Sequence, residues 1–214
     1  MMTQTHGLIA AALLAHSGRP SKHNAAILFG SFVPDAAIYC LFIWSKFAKI
    51  PEQHLWQKTY FSEPMLTFTA IGNSLPLYLC ILLAAMVIGW LSTEHNPAAA
   101  RARVNAGAFW QLTSMPVMAL FALAAISHLI GDFPVHAADA HPHFWPFTDW
   151  RFHSPVSYWD PSHYGHIFSY AEAALGLILS LVIFRRFKVA YVRLLIVLLM
   201  CVYVAVPLYF STMS

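Results

Sequence analysis

AIGNSLPLYLCILLAAMVIGWL, Ala70–Leu91, runs for 22 residues without one charged side chain. As a helix it reaches about 33 Å, enough to cross a hydrocarbon core of about 30 Å. The rest of the chain has the same character. Of its 214 residues, 59% are hydrophobic and 10% charged, where a soluble domain carries roughly 25% charged residues. That composition belongs to an integral membrane protein. One domain, residues 1–214, is the natural count. The expected fold is all-α: a polytopic membrane helix bundle with about five spanning helices. The net charge of +3 is small and the basic residues are scattered among short loops, which speaks against nucleic acid as a partner.

Upstream of that span, Ala25–Trp44 is long enough to cross, but Pro34-Asp35 interrupts it. A proline inside a helix removes a hydrogen bond and tends to kink it, and here the kink falls beside the segment's only charge. That coincidence reads as a site. Thr5–His16 is apolar and Ala-rich but reaches only about 18 Å, so a short or re-entrant N-terminal helix is expected. Ser45–Thr69 connects, its aromatics and lysines suiting a membrane interface. Downstream, Ala108–Ile130 reads as a span, Gly131–Tyr164 as a long His/Trp-rich loop, and Gly165–Phe184 and Ala190–Phe210 as two more spans. Met1–Gly7 lacks the basic start of a signal peptide. Cys40, Cys80 and Cys201 lie in apolar runs and read as small core residues.

Basic loops stay cytoplasmic. Arg101 and Arg103, and then Arg185, Arg186 and Lys188, mark one side. Gly131–Tyr164 holds a single basic residue, Arg151, and so lies opposite. The expected location is the cell inner membrane, multi-pass, with the His-rich loop outer. Lys46, Lys49 and Lys58 run against this count without reversing it.

Ser127–Pro146, SHLIGDFPVHAADAHPHFWP, packs four histidines and two aspartates into twenty residues. His128, Asp132 and His136 fall at i, i+4 and i+8. If the helix holds through Pro134 they share one face, which is how a helix offers several ligands to one metal. A carboxylate at the mouth of a membrane segment is costly unless paired or metal-bound. On the outer side the same orientation gathers His6, Asp35, His54, His128, Asp132 and His136, with His141, His143, His153, His163 and His166 as further donors whose part stays open. Nitrogen and oxygen donors without sulfur suit Zn²⁺ or another divalent ion, and more than one ion is compatible with their number. Asp139 and His141 are candidates to shuttle protons. His16, His23 and His95 fall on the inner side and read as structural. Glu172, within a span, is expected to hydrogen-bond between helices. Trp145, Trp150 and Trp159 read as anchors in the headgroup layer.

The order of these residues resembles a group of bacterial and archaeal membrane-bound, metal-dependent hydrolases, among them LexA-binding inner-membrane hydrolases. The matching landmarks are His6, GSFVPD ending in Asp35, His54, HLIGDFPVH and FWPFTDWRF, which span residues 6–152. HLIGDFPVH is also similar to the core of zinc-dependent phospholipases C and related single-strand nucleases, all-helical proteins that cleave phosphodiesters at a trinuclear zinc site. The resemblance implies metal-ligand roles for His6, Asp35, His54, His128 and Asp132. Three positions depart from it. His136 follows Asp132 by four residues, not six; Ala37 stands where a second acid is usual; and Tyr60 or Phe61 stands where a second histidine is usual.

A membrane-embedded metal-dependent hydrolase is therefore expected, with a metal-activated water as nucleophile and a lipid or lipid-linked phosphoester as substrate. Membrane lipids are its expected surroundings. The alternative is a non-enzymatic divalent-metal-binding or transport protein of the membrane. A third reading is an interaction protein that keeps the site to brace its fold.

Overall fold

The computed structural model describes residues 1–94 and 115–213, and among these every regular element is a helix. The first, α1 (Thr3–Leu14), is short, as expected, and it is central. Ala10 is fully buried and Leu8 and Ala11 nearly so. It packs against α2 (Ser21–Phe32) and against two later helices, Val117–Asp132 and Gly165–Arg186. A helix enclosed in this way must satisfy its end groups without bulk water.

The helix Gly165–Arg186 does so at both ends. Glu172 Oε1 accepts the Met2 N–H at 2.7 Å. Arg186 Nη1 donates to the carbonyls of Ala11, Ala12 and Ala15 at 3.0, 2.8 and 2.7 Å. An acid at the N-terminus and a base at the C-terminus also match the helix dipole. Glu172 thus bonds between helices, as expected.

From α2 the chain passes through a 3₁₀ turn, Val33–Asp35, into α3 (Ala36–Phe47). The kink expected at Pro34 takes this form, and Ser21–Phe47 as a whole is still long and apolar enough to cross a membrane. A helical turn, Glu52–His54, and a π turn, Leu55–Thr59, then lead to α4 (Glu63–Gly72).

Ala70–Leu91 is not one straight helix. α4 ends at Gly72 and α5 (Leu75–Glu94) begins after Asn73 and Ser74. Both side chains compete for backbone groups, the usual reason such residues break helices. Asn73 Nδ2 donates to the Thr69 carbonyl at 3.0 Å, and Ser74 Oγ accepts the Leu77 N–H at 3.2 Å as an N-cap. Glu63–Ser92 together is nonetheless long enough to cross.

The remaining helices are α6 (Val117–Asp132), α7 (Gly165–Arg186) and α8 (Ala190–Met213). Three candidate spans result: Ser21–Phe47, Glu63–Ser92 and Gly165–Arg186. α6 and the described part of α8, Ala190–Ala205, are apolar but shorter, so about five spans are not reached among the described residues. His95, Arg101, Arg103 and residues 108–114 lie outside them. Cys40, Cys80 and Cys201 are exposed on their helices and not in the core. Outward and inward faces of such helices are equally apolar, so composition does not separate them.

α2 and α6 meet backbone to backbone. A Cβ added at Gly30 would lie 2.2 Å from the Phe121 carbonyl oxygen, an approach that only glycine allows. The loop from Phe133 to Asp160 folds back over the end of α6. Ser154 N–H bonds to the His136 carbonyl at 2.9 Å and Tyr158 N–H to that of Val135 at 3.0 Å. Its middle docks on the α4–α5 break, where Ser74 Oγ donates to the Trp145 carbonyl at 2.6 Å and Leu75 N–H to that of His143 at 2.8 Å.

Candidate metal centre

The close contact at Gly30 sets the neighbouring Ser31 carbonyl against the last turn of α6. His128 Nδ1 lies 2.6 Å from that oxygen. A carbonyl only accepts, so Nδ1 carries a proton and donates it, which aims Nε2 away from the backbone. Nε2 faces two carboxylates, Asp132 Oδ2 at 2.9 Å and Asp35 Oδ1 at 3.5 Å. Nε2 makes no hydrogen bond although His128 is fully buried. A buried nitrogen so placed meets the acids either with a proton of its own or with a cation held between them. Backbone-anchored imidazoles facing acids are also how metal-ligating histidines are held.

His6 enters from α1. Its ring stacks on that of His128 with centroids 3.6 Å apart, and its Nε2 lies 2.8 Å from Asp132 Oδ1. Gly131 leaves room for it, since a Cβ there would lie 3.1 Å from His6 Cε1. The Met1 amine approaches the same Asp132 oxygen at 2.5 Å. His6, His128 and Asp132 each offer a ligand atom within 4.8 Å of the others, and all three are buried. This group could hold a metal ion.

Asp35 joins from the 3₁₀ turn, its Oδ2 accepting from Thr3 Oγ1, while Tyr39 O–H donates to Thr3 Oγ1 at 2.9 Å. His136 arrives by a different route from the one its spacing implied. α6 ends at Asp132 and the chain turns at Pro134, so His136 does not continue the helical face. The turn still brings its Nε2 within 3.2 Å of Asp132 Oδ1, and its Nδ1 within 3.0 Å of Asp139 Oδ2. Neither contact is aligned as a hydrogen bond.

Burial alone would lower the His136 pKa, but the flanking carboxylates Asp132 and Asp139 outweigh it and raise it to about 9. Burial pushes the Asp139 carboxyl up. His136 and the Trp159 N–H, 3.0 Å from Asp139 Oδ2, overcome that and hold it at about 2. His141 is buried next to His136, ring centroids 5.1 Å apart, and burial drives it down to about 3. His143 follows, 6.1 Å from His141, its Nδ1 at 3.1 Å from the Asn73 carbonyl.

His54 stands apart. It is exposed on its short turn and joins no ion pair among the described residues. The buried member of that region is Tyr60, packed with Leu41, Leu55 and Met65; burial and then Asp139 push its phenol above the ordinary range. Tyr158 was not foreseen either; its ring lies 5.1 Å from that of His136. Only the position of Tyr60, where the resembling hydrolases carry a histidine, pointed to either. His153 binds the Ala137 carbonyl and His163 binds Asp160, so both brace the loop. Trp150 and Trp159 are more than half exposed, as interfacial anchors would be.

Fold and site together define a helical chain with membrane-type spans around a buried histidine–aspartate cluster that could hold a metal ion. Compared with known proteins, the chain matches no family model, no curated protein and no solved structure.

Proposed function

We propose that the chain is a membrane-embedded, metal-dependent hydrolase acting on a lipid or lipid-linked phosphoester. One observation carries this reading: His128 Nε2, aimed by the Nδ1 bond to the Ser31 carbonyl, faces Asp132 and Asp35 in a buried site without an aligned hydrogen bond. His6, His128 and Asp132 would hold the ion, with Asp35 and His136 at its edge. Two imidazoles and carboxylate oxygens suit zinc. A divalent ion supplies a water nucleophile active near neutral pH and offsets charge on a phosphoryl group. Asp139 orients His136, and His141 lies next along for proton transfer. The resemblance to membrane-bound metal-dependent hydrolases supports the same assignment.

A lipid-borne substrate is supported by the other face of the same helix turn. There an apolar cavity of about 250 Å³ is lined by Leu75, Leu129, Ile130, Phe133, His143 and Phe144. It suits a hydrocarbon chain. We place the centre on the outer side of the inner membrane. Arg19 and Arg186 both cap the C-terminus of α1, at the end away from His6, and basic groups mark the cytoplasmic side.

The test is elemental analysis of chelator-washed, reloaded protein, followed by turnover of bis(p-nitrophenyl) phosphate. At least one ion per chain and metal-dependent turnover, both lost in Asp132→Ala, are expected. A loaded protein without turnover, or one that carries the ion across a sealed vesicle, overturns the hydrolase reading.

A further inference from the structure

Six of the chain's twelve basic residues gather at one end of the bundle, the end of α1 remote from His6: Arg19, Lys22, Arg185, Arg186, Lys188 and Arg193. Two of them close on the last carbonyls of α1. Arg19 Nη1 donates to that of Leu14, and Arg186 Nη1 to those of Ala11, Ala12 and Ala15. Arg193 Nε donates to the carbonyl of Phe187, the residue after Arg186, at 3.1 Å, and its guanidinium lies 4.7 Å from the centre of the Phe184 ring. Lys22 stands in the first turn of α2, which packs on α1, and Arg185 and Lys188 lie within two residues of Arg186.

No acid answers them in these stretches, since residues 1–34 and 173–214 hold no Asp or Glu. Among the described residues, none of Lys22, Arg185, Arg186, Lys188 and Arg193 joins an ion pair. The carbonyl bonds also leave donors over. Arg186 spends Nη1 alone and Arg193 Nε alone, of the five N–H groups that a guanidinium carries. Neither has a buried nitrogen without a partner, so the remaining donors face open space. Lys22, Arg185 and Lys188 are exposed. A guanidinium already pinned on backbone loses little further freedom on binding, and its planar fork matches phosphate oxygens. Beside Arg193 and Lys188, the apolar side chains of Val189, Leu194 and Leu195 are exposed as well.

We propose that this end of the bundle binds an anionic phospholipid, its phosphate on the open donors of the basic cluster and its chains along the start of α8. Charge complementarity selects this occupant. Every phospholipid offers chains, but only an anionic one offsets the mutual repulsion of six like charges, and basic groups between helices at a membrane surface are suited to such headgroups. The site lies at the opposite end of α1 from the metal centre and does not rest on the hydrolase reading: this lipid is held and not cleaved.

The experiment titrates the full, delipidated chain in detergent with phosphatidylglycerol and with phosphatidylcholine of the same chains, and reads bound lipid by native mass spectrometry. Wild type should hold phosphatidylglycerol the more tightly. Lys22→Gln, Arg185→Gln and Lys188→Gln remove exposed charges that brace nothing among the described residues, so melting temperatures should stay at the wild-type value. Each should weaken phosphatidylglycerol roughly fivefold, the worth of one basic group near an anionic surface, and leave phosphatidylcholine unchanged. A control replaces Lys46, Lys49 and Lys58 by Gln, which takes the same charge from beyond the far end of the span that Lys22 begins. It should alter neither affinity. Glycerol phosphate, the same headgroup chemistry without chains, should displace the lipid only in large excess. Equal affinity of wild type for the two lipids overturns the proposal, and so does unchanged phosphatidylglycerol affinity in the three variants. An equal loss in the control would reduce the effect to net charge and overturn it too. Displacement by glycerol phosphate at the lipid's own concentration would make this a site for free phosphates instead.

Discussion

Asp132 is the residue on which the centre turns, because His6, His128 and His136 all face its two oxygens. Losing even an outer-shell partner costs about 10–100-fold in metal affinity. Asp132→Ala should lose at least that much, measured by competition with a chelating dye; retention of wild-type affinity would refute the ligand set. Asp35 gives a second prediction. With the ion removed, Asp35 and Asp132 face each other's charge across His128, so chelation should lower the melting temperature. Asp35→Asn removes one charge and should shrink that drop, and an undiminished drop would exclude Asp35 from the centre. At this scale HLIGD, with His128 and Asp132 one helical turn apart, was fully legible. Asp35 was legible as a charge beside a proline. His54 stands exposed and apart from the cluster, and neither spacing nor resemblance could show that Tyr60 is the buried residue of that region. Tyr158 carried no sequence signal, since its place depends on a loop folding back over more than twenty residues.

Among the elements, α2 and α6 make the decisive contact, for their closeness puts the Ser31 carbonyl on His128. Gly30→Ala inserts a methyl where the Phe121 carbonyl stands. Overpacking of this kind costs about 1–3 kcal/mol, and the displaced Ser31 carbonyl should also weaken metal binding. Thermal melts with a zinc titration check both; a variant as stable as wild type would refute the packing argument. Arg186→Met removes the three bonds to the end of α1. A loss of about 1.5–3 kcal/mol is expected, the range for hydrogen bonds to a charged group, read by chemical denaturation in mixed micelles. The short first helix was predictable from its length, and the kink from Pro34. The break at Asn73 and Ser74 was not predicted, because both residues sit inside a run otherwise without interruption. Their side chains, and the docking of the loop upon them, decide the matter.

For the whole molecule, composition pointed to a membrane, and among the described residues three helices are long and apolar enough to cross one, with Leu83, Ile88 and Ile178 on their outer faces 66%, 64% and 62% exposed. The side on which the centre opens rests on charge counts. In a background lacking Cys40, Cys80 and Cys201, a cysteine at the exposed position Asp149 should react with an impermeant maleimide in right-side-out vesicles. One at exposed Lys188 should not. Reversed labelling would put the centre in the cytoplasm. Composition could not divide the helices into those that cross and those that only pack, since both are equally apolar. The mounting of α1 carries one more consequence. Its two ends are clamped by charges fourteen positions apart on one neighbour, Glu172 and Arg186. An object fixed at two points cannot creep: sliding by one residue would unseat both clamps together. His6 therefore has no graded series of nearby positions, and the centre should assemble or fail as a unit, without loosened intermediates.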